Sequence, residues 1–144
     1  MKVLNAITAR PWRAGVLVLG LTAALAGSAS AAVSELTIDP TAKLSSGQLH
    51  ATLTGTVTCD PGSTALLSGQ IVQPKNATGF GSTTVTCDGT SQPYAIDVST
   101  GGLFGPAAVF KPGKARAQVS TSECDPVTWT CKTQYTDATI RLTN

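Results

Sequence analysis

Leu49-His50-Ala51-Thr52-Leu53-Thr54-Gly55-Thr56-Val57-Thr58-Cys59 is the stretch on which the fold turns. Leu49, Ala51, Leu53, Val57 and Cys59 fall on one face, and His50, Thr52, Thr54, Thr56 and Thr58 on the other. A strict period of two is the signature of a half-buried β-strand, and threonine and valine suit its pleated surface. Cys59 therefore points into a core. Asp60-Pro61-Gly62 then turns the chain.

The same grammar continues in both directions. Glu35 to Asp39 is a short strand ended by Pro40, and Ala65 to Gln73 a longer one ended by Pro74. Lys75 to Gly79 reads as a loop. Ser82 to Cys87 is a strand, followed by an Asp88-Gly89 turn and by a strand carrying Tyr94, Ile96 and Val98 inward. Thr100 to Gly113 is rich in Gly and Pro and reads as a long loop, with an edge strand near Ala107 to Phe110. Lys114 to Ser122 alternates again, with Ala115, Ala117, Val119 and Thr121 inward and Lys114, Arg116, Gln118 and Ser120 outward. Trp129 to Tyr135 is the returning arm, and Ala138, Ile140 and Leu142 define a last strand. No segment after residue 31 has a helical period. The expectation is an all-β domain, a two-sheet antiparallel β-sandwich of seven or eight strands.

The N-terminal residues differ in kind. Lys2, Arg10 and Arg13 precede an apolar run, Val16 to Ala26, of about 11 residues, and Ala29-Ser30-Ala31 offers small residues for cleavage. A spanning helix needs roughly 20 apolar residues, so residues 1–31 read as a cleavable secretory signal and 32–144 as one exported domain, with no membrane anchor after cleavage. Removing the leader also removes the apparent basicity. The 144-residue chain has 10 Lys and Arg against 8 Asp and Glu. Three of those bases and none of the acids lie in the leader, which leaves the domain slightly acidic and excludes nucleic acid as an expected partner.

An exported chain meets an oxidising environment, and its four cysteines, Cys59, Cys87, Cys124 and Cys131, allow three pairings. Cys59–Cys87 and Cys124–Cys131 is the preferred set. Val57-Thr58-Cys59-Asp60 recurs as Val85-Thr86-Cys87-Asp88, two strand ends each delivering an inward cysteine. Asp125-Pro126 sits between the other two, as in a hairpin. The Cys-x₂₋₄-Cys knuckles of a zinc site are absent, and no cofactor is expected.

This layout resembles the small secreted immunoglobulin-like proteins common in actinobacteria. The residues that carry the resemblance are Leu36-Thr37-Ile38-Asp39-Pro40, the strand ending Gly55-Thr56-Val57-Thr58-Cys59, and the late segment bounded by Cys124 and Cys131. The enediyne-antibiotic apoproteins look similar in style, with an opening extended strand, four cysteines and a tight late disulfide hairpin. The first resemblance implies an immunoglobulin-like sandwich and export. The second implies a cleft that carries a small molecule.

The chemistry-bearing residues point away from catalysis. His50 is the sole histidine and lies on the polar face of a strand, without a nucleophile at a readable spacing. Asp60, Asp88 and Asp125 each follow a cysteine and precede Pro, Gly or a turn, where aspartate caps its own backbone. Lys111, Lys114 and Arg116 form a local basic cluster that suits either solvent or an anionic surface polymer. Asn76-Ala77-Thr78 has the form of a glycosylation sequon and marks a surface loop. Trp129, Phe104 and Phe110 are the candidate binding aromatics: exposed, they would form a rim; buried, they would pack an end of the fold. The expected function is a secreted, monomeric, non-catalytic binding or structural module for an extracellular protein, polymer or small molecule. The alternatives are a small-molecule carrier with a cleft lined by Phe80, Phe104, Phe110 or Trp129, and a proteinase inhibitor presenting the Cys124–Cys131 segment.

Overall fold

A computed structural model describes residues 33–101, 108–124 and 131–144, with the backbone alone at 123, 124, 131 and 132. The chain forms β1 (Val33–Leu36), β2 (Thr41–Leu44), β3 (His50–Cys59), β4 (Thr64–Gln73), β5 (Ala77–Thr86), β6 (Ser91–Ser99), β7 (Gly113–Cys124) and β8 (Cys131–Thr143). All-β is correct, and the two-sheet sandwich is not. A single ladder runs β3-β2-β8-β7-β4-β5-β6 and returns to β3, closing a seven-stranded barrel with β1 added along β3.

Two local features close the ring. The first is the segment 33–44, which runs along β3 as β1, continues through Thr37 and Asp39, whose amides donate to the Thr56 and Thr54 carbonyls at 2.9 Å, and bends at Pro40. Beyond the bend β2 pairs in parallel with β8, Thr41 to Arg141 through Lys43 to Thr143, while still pairing with β3 at Lys43 and Leu44. The Arg141 amide donates to the Pro40 carbonyl at 2.8 Å, which sets this parallel register. The sequence reading ended the strand at Pro40 and missed β2, the element that joins the two halves of a would-be sandwich.

The second feature is the β5–β6 seam. Its only register pair is Phe80 with Ser99, so the strands approach closely rather than form a long ladder. Glycine makes the approach possible. A Cβ at Gly79 would stand 2.8 Å from the Ser99 carbonyl oxygen, and one at Gly81 would overlap the Asp97 carbonyl oxygen. Gly79 was expected in a loop; it is in fact part of a strand that begins at Ala77. The remaining long strands, β3, β4, β6 and β7, match their expected spans closely, and the returning arm and last strand merge into β8.

Among the described residues, apolar side chains occupy the interior. Leu53, Leu67, Ile71, Ile96, Val119 and Phe110 are among the fully buried side chains. At about 25 cal/mol per Å² of apolar surface, each such residue contributes roughly 1.5–3 kcal/mol relative to an exposed position. Phe110 plugs the barrel end near Gly79, held by its amide donating to the Gln48 carbonyl at 2.9 Å. Gln73, itself buried, pins the adjoining turn: its amide nitrogen donates to the Lys111 carbonyl, and its amide oxygen accepts from the Lys111 N–H, both at 2.8 Å.

The Cys59–Cys87 disulfide is present and spans 28 residues at the other barrel end. It ties the end of β3 to the β5–β6 connection, and it is the disulfide found among the described residues. The register places Cys124 and Cys131 as Cα partners at the tip of β7–β8, while their side chains lie outside the described residues.

Candidate functional site

The sequence-predicted aromatics separate. Phe110 is wholly buried and is a packing residue, not part of a rim. Phe104 and Trp129 lie outside the described residues. Phe80, placed by the sequence reading in a carrier's cleft, instead stands 62% exposed on the outer surface. Tyr135, which the reading did not single out, is 65% exposed, and Leu66 is 52% exposed.

These exposed side chains share one surface, the outer face of β5-β4-β7-β8. The register lays it out in rows. Phe80, Gln70, Gln118 and Asp137 form one row across four strands, and Ser82, Ser68, Ser120 and Tyr135 form the next. Strands lie about 4.8 Å apart, so the row spans about 14 Å from β5 to β8. Phe80 and Tyr135 thus bracket a floor of amide and hydroxyl groups. Two shallow depressions lie on this floor. One, of about 500 Å³, is lined by Phe80, Gln70, Ser68, Gln118 and Ser120 among others. The other, of about 340 Å³, is lined by Gln70, Val72, Arg116, Gln118, Tyr135 and Asp137. Arg116 donates to the Asp137 carboxylate at 3.3 Å, with both side chains mostly exposed.

The basic cluster gains a member through the register. Lys114 and Arg141 are direct cross-strand partners, one row beyond Arg116 and Thr139. Arg141 was not singled out by local sequence reading because it lies on another strand and meets Lys114 only through the β7–β8 register.

His50 occupies a different surface, an open depression with Lys43, Leu44, Ser45, Thr52 and Asp97. Its Nδ1 lies 3.2 Å from both Asp97 carboxylate oxygens. That is the orienting half of a catalytic triad. The nearby Ser45 hydroxyl, however, accepts from the His50 backbone amide at 3.3 Å, and no described hydrogen bond joins a hydroxyl to the imidazole. The aspartates after the cysteines act as turn formers where they are described. Asp88 accepts from the Thr90 amide at 2.8 Å and the Thr90 hydroxyl at 2.7 Å, and these bonds, the hydroxyl's first, hold its carboxyl below the usual carboxylate range. Asp125 lies outside the described residues. Among the described residues no three His, Cys, Asp or Glu side chains converge as a metal site.

Burial also acts on Tyr94. Its phenol donates to the Thr37 carbonyl across Gly55, where a side chain would collide with the ring. Desolvation chiefly, and the charge of Asp39 in addition, push its ionisation well above the ordinary tyrosine range.

Comparison of the chain with protein-family models, with curated proteins and with solved structures finds no match. The functional reading therefore rests on the chemistry of the surface itself.

Proposed function

We propose that the chain is a secreted, non-catalytic binding module whose working surface is the outer face of β5-β4-β7-β8. The observation that carries this reading is the pair of exposed aromatics, Phe80 and Tyr135, set at either side of a floor of amides and hydroxyls that also holds the Arg116–Asp137 pair. Large aromatic side chains left in water on a regular sheet face are the usual anchors of recognition, and neighbouring amides supply directional hydrogen bonds. The buried side chains of the described residues weigh against an internal carrier, whose ligand would have to displace Leu53, Ile96 or their neighbours. The Asp97–His50 pair lacks a hydroxyl on the imidazole, which weighs against acyl transfer. Ring closure leaves few unpaired strand edges, in keeping with a monomer.

The test is a binding panel of purified polysaccharides, protein ligands and lipid vesicles, run with the purified, oxidised protein and with Phe80→Ala/Tyr135→Ala. The reading expects at least one ligand whose affinity falls on the order of tenfold in the double variant, as hot-spot aromatics do, with the thermal midpoint unchanged. Binding that survives the double substitution, or hydrolytic turnover lost in His50→Ala, would overturn it.

A further inference from the structure

Charge on this barrel is sorted by end. Lys43, Lys75, Lys111, Lys114, Arg116 and Arg141, all the Lys and Arg side chains that are described, lie toward the end plugged by Phe110. Glu35, Asp60 and Asp88 lie toward the disulfide end. The near-neutral balance of the domain conceals this separation, because it sums two ends of opposite sign.

The basic end carries more cation than the fold itself needs. Lys114 and Arg141 stand directly opposite one another on adjacent strands, an arrangement that destabilises a sheet when both residues carry the same charge. Three acids reach into this half of the barrel, and each is already engaged: Asp137 by Arg116, Asp97 by His50, and Asp39 by the Thr54 hydroxyl, which donates to its carboxylate at 2.6 Å. Neither Lys114 nor Arg141 has an ion-pair partner among the described residues. A row of like charges held together without counter-charge is explained by an anion that arrives from outside.

We propose that the ligand of the outer face is an acidic polysaccharide, laid along β7 and β8 so that its anionic groups meet Lys114, Arg116 and Arg141 while a sugar ring stacks on Tyr135. This assignment rests on the binding-module reading above and names its ligand class. The depression formed by Tyr135, Arg116, Gln70 and Gln118, where Asp137 holds Arg116 in the absence of ligand, supplies the three contacts such a polymer needs. The guanidinium meets carboxylate in a planar, paired geometry, the amides meet hydroxyls, and the aromatic face meets the apolar face of a ring. The aromatic residues and amides interleaved with the cations distinguish this strip from a purely electrostatic surface for membranes, which needs charge alone.

The experiment is affinity electrophoresis of the purified, oxidised protein through gels containing polygalacturonate, with a neutral galactan gel, duplex DNA and anionic phosphatidylglycerol vesicles as the other arms. The expected result is retardation by polygalacturonate that weakens on the order of tenfold between 50 and 200 mM salt, as screened multi-ion contacts do. Lys114→Gln/Arg141→Gln should weaken retardation at least tenfold. Thr64→Glu/Ser91→Glu, which lowers net charge equally at the disulfide end, should change it less than twofold. Tyr135→Ala should weaken it about tenfold at constant salt, and Tyr135→Phe should retain it. The proposal is overturned by no retardation in polygalacturonate, by equal losses in the two charge variants, or by DNA or vesicle binding of equal strength that ignores Tyr135→Ala. Retardation in neutral galactan alone, lost in Phe80→Ala/Tyr135→Ala, would sink the acidic ligand while leaving the binding module standing. Retardation unaffected by any outer-face variant would sink both.

Discussion

Replacing Gly81 with alanine is the sharpest perturbation of barrel closure. The added Cβ would overlap the Asp97 carbonyl oxygen and stand 2.8 Å from its carbonyl carbon and 3.0 Å from Ile96 Cγ2. Carbon contacts settle near 3.5–4.0 Å, so β5 must lift from β6 by on the order of 1 Å. The obstacle is backbone and cannot rotate aside. Overpacking costs about 1–3 kcal/mol, and a rigid neighbour places this case near 3. Loss of glycine's freedom in the unfolded chain offsets about 0.4–1 kcal/mol, leaving a net destabilisation of about 2–2.5 kcal/mol. At about 4 °C per kcal/mol for a domain of this size, the thermal midpoint should fall about 8–10 °C. Gly47→Ala is the matched control. Nothing lies within 4 Å of a Cβ at Gly47, which sits in the turn between β2 and β3. It should gain about 0.4–1 kcal/mol from the same chain-entropy effect. The assay is calorimetric melting of both variants beside the parent. If Gly81→Ala matched Gly47→Ala, β5 would not pack on β6 as described, and the ring would be open there.

Two further predictions concern the interior and the staple. Tyr94 is held neutral above the pH of about 10 at which an unfolded tyrosine ionises, so its contribution is complete below pH 10 and is lost as pH rises, at about 1.4 kcal/mol per pH unit. Urea unfolding should be nearly flat from pH 9 to pH 10 and approach that slope by pH 11, and Tyr94→Phe should remove it; an identical pH dependence in both proteins would refute the assignment. Opening Cys59–Cys87 releases a 28-residue loop, and the chain-entropy relation gives a loss of about 3.6 kcal/mol for Cys59→Ala/Cys87→Ala. A loss under about 1 kcal/mol in denaturant unfolding would mean that the bridge does little to restrict the unfolded chain.

The strands were legible because the physical signal is local. In β3, β4, β6 and β7 the buried positions alternate with exposed ones, and a period of two shows in the sequence without any knowledge of partners. The inward Cys59 and Cys87 and their bridge followed from that same alternation. Closure was not legible. It depends on three residues after Pro40 pairing in parallel with the far end of the chain, and on glycines in β5 whose role is defined only by the carbonyls of β6. Parallel pairing leaves no turn motif to read. Leu49 shows the same limit on a smaller scale: it continues the apolar face of β3 in sequence yet stands 38% exposed, one residue before the strand begins. The candidate surface was half legible. Lys114, Arg116, Gln118 and Ser120 were placed on a solvent side, but Tyr135 and Arg141 join them only through the β7–β8 register.

The central claim is that recognition takes place on the outside of β5-β4-β7-β8. Its most direct test is a backbone-amide NMR titration with oligogalacturonate, read residue by residue. The account predicts shifts concentrated at Gln70, Arg116, Gln118, Tyr135 and Arg141, with Glu35, Thr52 and Asp97 unmoved. Shifts centred on the His50–Asp97 depression, or on residues 125–130, with the outer face silent, would contradict it.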